Sequence, residues 1–132
     1  MAIAERYGGN KNTRNTGITQ ALLWTNSDTT ASFAAQDISL DLSGYNMVCM
    51  NFLNSTSASN IVSTIFAPVG GVSSYALWIT QGSNLTQRQR GVTASSTKVE
   101  VGDCSSRSQG GSASTTNGYL IPYQIYGIRG IT

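Results

Sequence analysis

The sequence has no histidine, two cysteines, two prolines and 11% charged residues, where a typical soluble domain has about 25% charged. Each scarcity excludes something. Without histidine the chain lacks the side chain most used for proton transfer near neutral pH, which is also the commonest metal ligand. Cys49 and Cys104 are far apart and form no CxxC pair. The four Cys or His ligands of a zinc site do not exist, and no metal is expected. Cys49 lies inside the apolar run Met47-Val48-Cys49-Met50. There a reduced thiol packs as a small hydrophobe, which favours free cysteines over a Cys49–Cys104 disulfide. No apolar run approaches about 18 residues, so no membrane insertion is expected. The opening Met1-Ala2-Ile3-Ala4-Glu5-Arg6 has no apolar stretch after its charges and does not read as a secretory leader. The net charge is +2 with the eight basic residues scattered, which leaves no electrostatic footprint for nucleic acid. Low charge also argues against a coiled coil or helical bundle.

What the chain does have is Ser, Thr and Asn, together about a third of its length, and 14 glycines. At 132 residues it makes one domain able to bury about two-thirds of its surface. Residues 1–17, which include Tyr7-Gly8-Gly9-Asn10-Lys11-Asn12-Thr13-Arg14-Asn15-Thr16-Gly17, are polar and lack an apolar period. They read as an arm, flexible or docked on a neighbouring subunit, with Tyr7, Lys11 and Arg14 as candidate assembly contacts. From residue 18 to the end the pattern alternates with a period near two, broken by turn residues. Strands are predicted over 20–25, 37–42, 45–53, 61–66, 75–80, 85–93, 97–101 and 119–128, with a long Ser/Gly/Gln loop over 104–118. In the second of these, Ile38, Leu40 and Leu42 face one way and Asp37, Ser39 and Asp41 the other. Segments 45–53 and 119–128 are apolar on both faces. Val48, Met50 and Phe52 lie opposite Met47, Cys49 and Leu53, which marks a central strand or one covered by another subunit. About eight strands and no amphipathic helix indicate an all-β fold: a single antiparallel β-sandwich, jelly-roll-like, carrying the polar N-terminal arm.

Few groups are suited to catalysis. Asp37 and Asp41 share a strand face but lie about 13 Å apart, beyond the 5–9.5 Å of paired glycosidase carboxylates. Glu100 and Asp103 flank a strand end, where surface or turn duty suits them better. Gly70-Gly71 and Gly110-Gly111 neither precede Lys-Ser/Thr nor open a helix, so neither is a phosphate loop. No enzyme and no cofactor are expected. For binding, Tyr75, Trp78, Arg88 and Arg90 sit on consecutive strands and could form an aromatic–cation surface for a sugar or peptide. The plainer reading puts Tyr75 and Trp78 in the core and the arginines in solvent, and residue type alone favours it. Arg88 and Arg90, two apart on one strand, share a face in either case. Loops over 54–60, 81–87 and 104–117 carry amides and hydroxyls suited to a neutral polyol.

Several motifs resemble a known kind of module. Leu23-Trp24-Thr25-Asn26, Ala31-Ser32-Phe33-Ala34-Ala35-Gln36 and Ile38-Ser39-Leu40-Asp41-Leu42-Ser43 with Tyr45 resemble modules of tail-region minor structural proteins from bacteriophages of Gram-positive bacteria. Tyr119-Leu120-Ile121-Pro122 followed by Ile125-Tyr126-Gly127-Ile128 resembles the close of the same module. The likeness covers roughly residues 20 to 130 as a string of short motifs and brings no catalytic residues. It implies a β-rich virion part of the tail, baseplate or virion surface, made in the host cytoplasm. It also implies contact with a host-surface glycan, while the doubly apolar strands and the polar arm suit a homo-oligomer (a trimer among the options) that contacts other virion proteins. Two rivals are a free-standing lectin-like carbohydrate-binding domain and a capsid decoration protein.

Overall fold

The computed structural model describes residues 17–130, and there the alternating segments are strands. They are β1 (Thr19–Thr25), β2 (Gln36–Ser39), β3 (Met47–Ser55), β4 (Ile61–Pro68), β5 (Ser74–Gln81), β6 (Leu85–Ala94), β7 (Lys98–Ser108), β8 (Ser114–Thr115) and β9 (Tyr119–Arg129). All the strand pairs are antiparallel, and no helix occurs among the described residues. One sheet has the order β1-β9-β3-β4, the other β2-β7-β6-β5, with β8 added on β7. The two sheets pack as a β-sandwich.

The doubly apolar segments, β3 and β9, are the two central strands of the first sheet. Their inner residues Val48, Met50, Phe52, Ile121 and Ile125 are fully buried. They form one core with Ala76, Val92, Ala94, Val99 and Val101 of the second sheet and with Ile38 and Leu42. Each large side chain removed from water contributes about 1.5–3 kcal/mol, and this burial holds the layers together. On the outer face of the first sheet, the register lines up Leu22, Tyr126, Cys49 and Phe66 in a row across all four strands. Gly127 faces inward in β9, where a β-carbon would lie 2.6–2.7 Å from Tyr45 and Leu23; the tyrosine ring fills the space that glycine leaves. Both cysteines are free, Cys104 in the core and Cys49 half-buried on the outer face. Burial pushes the Cys49 thiol up from its ordinary pKa.

Three expectations need correction. Leu53 was expected on the outer face with Met47 and Cys49, but a bulge between Phe52 and Leu53 turns both residues inward, leaving Leu53 4% exposed. The strand expected over 37–42 ends its regular pairing at Ser39, although Leu40 and Leu42 N–H groups still donate to the carbonyls of Thr97 and Ser96. The predicted loop over 104–118 opens as strand: β7 continues through Ser108, and Ser114–Thr115 pairs back on it. Its inward residues Cys104 and Ser106 stand opposite Arg90 and Arg88 rather than an apolar partner, which erased the alternation that would have revealed a strand. Of the arm expected over 1–17, only Gly17 is described; Tyr7, Lys11 and Arg14 lie outside the described residues.

Candidate functional site

The inner face of the second sheet changes character along its length. Cross-strand register sets three rows: Ala76–Arg90–Cys104, then Trp78–Arg88–Ser106, then Thr80–Thr86–Ser108. Successive rows are two residues apart, about 7 Å along the strand. The first row is in the core, the last is all hydroxyl at the open end of the sandwich, and Trp78 and Arg88 are half-buried between them.

Arg90 is fully buried and, among the described residues, pairs with no carboxylate. Its guanidinium donates instead to four main-chain carbonyls. Nε reaches Leu120 at 2.9 Å, Nη1 reaches Phe33 at 2.8 Å and Gly102 at 2.7 Å, and Nη2 reaches Tyr119 at 3.0 Å. Neighbouring carbonyls of a regular strand point to opposite sides, but Leu120 has φ +48°, and this left-handed turn lets the Tyr119 and Leu120 oxygens converge on one cation. Burial lowers the Arg90 pKa from its ordinary value, and Cys104 and Asp103 pull it partly back. A guanidinium nevertheless remains charged in proteins. Its donors are spent on the fold, so Arg90 is not a surface residue open to a ligand, nor is it solvated. The two-residue spacing correctly put Arg88 and Arg90 on one face, but that face is the inner one.

Arg88 is held differently. Its guanidinium carbon lies 4.1 Å from the Tyr119 ring centroid and 5.1 Å from that of Trp78, and the two rings are 6.2 Å apart at an angle of 44°. Nη1 reaches Thr80 Oγ1 at 3.5 Å, a long contact, and the buried Nε has no partner. Among the described residues no carboxylate pairs with Arg88. Two aromatic faces hold the cation, each worth about 0.5–2 kcal/mol depending on desolvation, against about 1–3 kcal/mol for the unmet Nε donor. Alongside lie the hydroxyls of Thr80, Ser106 and the hydrogen-bonded pair Thr86–Ser108, 3.2 Å apart. Chemically this end offers a planar cation, an indole, a phenol ring and a row of hydroxyls. Such a set suits a polyol or sugar bearing an anionic group.

The structure therefore joins Trp78 and Arg88 and separates the other two predicted residues from them. Tyr75 is 59% exposed on the outer face of the second sheet, neither in the core nor in this site. Its ring lies on Gly91, where a β-carbon would come within 3.2 Å of it. Three residues of strand separate Tyr75 from Trp78, an odd number, which puts them on opposite faces. Tyr119 was missed. It comes from the first sheet, and nothing in local sequence signals that its ring meets Arg88.

The carboxylates mostly fasten loops. Asp103 accepts from the Ala35 N–H and from Asn117 Nδ2, both at 2.9 Å, and these bonds lower its pKa, the Ala35 bond most. Asp28 and Asp41 are lowered in the same way by Thr30 and Ser43. Lys98 bridges Asp37 at 3.0 Å and Glu100 at 3.2 Å beside an outer-face depression of about 430 Å³ floored by Gly91 and Gly102. Among the described residues no three His, Cys, Asp or Glu side chains gather as a metal site.

Comparison with known proteins adds no relative: no family model matches the chain, and neither a curated protein nor a solved structure does.

Proposed function

We propose that this chain is a virion structural module of the bacteriophage tail kind, placed in the tail, baseplate or virion surface, whose open sandwich end contacts a host-surface glycan. The observation that carries the contact is Arg88, a cation with no carboxylate partner among the described residues, resting against the rings of Trp78 and Tyr119 beside a row of hydroxyls. Such a group is costly to keep unpaired for stability alone, and it is the arrangement that an anionic sugar would complete. The phage assignment rests on the motif resemblance. Its residues come together in the fold: β1 with Trp24 pairs with β9, and the Trp24 ring meets Phe33 edge-on at 6.4 Å.

The test is binding of the purified chain to isolated cell walls and cell-wall polysaccharides of Gram-positive bacteria. Saturable binding that is lost in Arg88→Leu and weakened in Trp78→Leu, with an unchanged circular dichroism spectrum, is expected. Equal binding by wild type and Arg88→Leu would reject the site. A free-standing lectin would show the same binding, so mass spectrometry of purified particles separates the two: the chain is expected among virion proteins. Its position by immunogold labelling distinguishes tail from capsid decoration.

A further inference from the structure

The function proposed above uses none of the residues around the depression of about 430 Å³ on the outer face of the second sheet. Its surroundings are of three kinds. Asp37 and Glu100, paired across β2 and β7, line it with side chains about half exposed. Lys98 takes one oxygen of each, Asp37 Oδ2 and Glu100 Oε2, so among the described residues Asp37 Oδ1 and Glu100 Oε1 have no partner. Ser73 Oγ and Thr93 Oγ1, also in the lining, form a hydroxyl pair 2.6 Å apart. Next to the Gly91 floor comes Tyr75, paired with that glycine across the strands and 59% exposed. Gly91 makes room for the Tyr75 ring, but Gly102 has no such neighbour: a β-carbon there would meet only the Gly91 main chain, at 3.6 Å or more, in ordinary contact. Nor does Gly102 adopt a positive φ, so the pairing irregularity beside it does not demand glycine. A glycine inside a strand weakens it, and what this one keeps is open space above the sheet where a ligand can approach.

We infer that this depression is a binding site for a neutral sugar, with Tyr75 as its apolar side and Asp37 and Glu100 as its acceptors. Its volume falls within the about 300–1,000 Å³ of small-molecule sites, which combine an aromatic surface with a few placed polar groups. A sugar ring has a face of C–H groups and a rim of hydroxyls. The exposed tyrosine ring suits the face. The two unspent carboxylate oxygens suit the rim, because a hydroxyl bonded to an ionised acceptor is held about twice as strongly as between neutral groups. The Ser73–Thr93 pair adds further hydroxyl partners. Two carboxylates against one lysine leave a negative charge in excess beside the depression, which disfavours an anionic ligand. An extended peptide is less suited, since β6 and β7 are interior strands and offer no free edge for a peptide backbone to pair with. The inference goes beyond the function proposed above and does not rest on it: Tyr75 and Arg88 lie on opposite faces of the second sheet, so either site can fail without the other.

Amide nitrogen–proton NMR of the full chain, titrated with neutral hexoses, deoxyhexoses and N-acetylhexosamines, tests it. One sugar ring with so few contacts binds at millimolar strength, too weakly to hold the protein on washed cell walls, so the binding test of Arg88 is undisturbed. At least one of these sugars is expected to shift the amides of Gly91 and Gly102 saturably. Tyr75→Ala should weaken that binding by about tenfold. Asp37→Asn combined with Glu100→Gln should weaken it as well, and carries the same test should Tyr75→Ala not fold. Arg88→Leu should leave the titration unchanged. No shift at Gly91 or Gly102 with any of the sugars overturns the inference, as does unchanged affinity in either outer-face variant. Shifts confined to the Trp78 indole and the Thr86 amide, and lost in Arg88→Leu, would also overturn it while leaving the open-end site standing.

Discussion

Arg88 and Arg90 stand two residues apart on the same face of the same strand, yet they do opposite work. Arg90 sits where the two sheets are closed over it and donates from all three of its nitrogens to carbonyls, tying β6 to β7, to the start of β9 and to the Phe33 segment. Arg88, one row further out, rests against two neighbouring rings, with a long contact to Thr80 and an unmet Nε. About 7 Å along a strand separates a cation consumed by the fold from one left over for a partner. The difference lies in how many main-chain oxygens each position reaches, since among the described residues neither pairs with a carboxylate.

The largest effect expected from breaking this contrast is at Arg90. Arg90→Met keeps the volume but strands four carbonyls in the interior, and should destabilise the protein by about 3–5 kcal/mol in urea unfolding, or prevent folding. A loss below about 1 kcal/mol would mean that water or rearrangement replaces those bonds. Next comes Tyr119→Ala, which removes the ring that covers Arg88 and should cost about 2–3 kcal/mol. Tyr119→Phe keeps the ring and should stay within about 0.5 kcal/mol of wild type, since the contact with Arg88 is made by the ring face. Arg88→Leu sharpens the comparison most. Its thermal stability should stay within about 1 kcal/mol of wild type, because the lost cation–ring contacts are offset by removal of the unmet Nε, while cell-wall binding disappears.

The smallest effect is with pH. Asp103, Asp28 and Asp41 have folded pKa values below the ordinary 3.8. Their contribution is complete above 3.8 and is lost as pH falls through the lower folded values, because the unfolded chain takes up those protons first. Stability should therefore be flat from neutrality down to about pH 4–5 and then decline. Asp103→Asn should reduce that decline and raise amide exchange at Ala35, next to the Phe33 segment that Arg90 holds.

Much of this fold was legible. The alternation of Ile38, Leu40 and Leu42 and the double apolar pattern of 45–53 and 119–128 report local geometry and burial directly. They forecast a half-exposed strand and two central ones. The extension of β7 was not legible, because Cys104 and Ser106 face polar partners and leave no apolar rhythm. For the site, Trp78 with Arg88 could be guessed from adjacent strands. Tyr119 could not, nor could the exposure of Tyr75 on the far face from Trp78.

By itself the sequence determined the strand class, the shared face of Arg88 and Arg90, the absence of histidine and the charge-free stretch from 42 to 87. These depend on residue type and on a period of two, which each segment carries alone. Only the tertiary structure decided which way that face points, which carbonyls Arg90 meets, and that Tyr119 crosses from the other sheet to Arg88. Those outcomes depend on register and strand order, set by closing long loops around a common core, and no single segment contains that information.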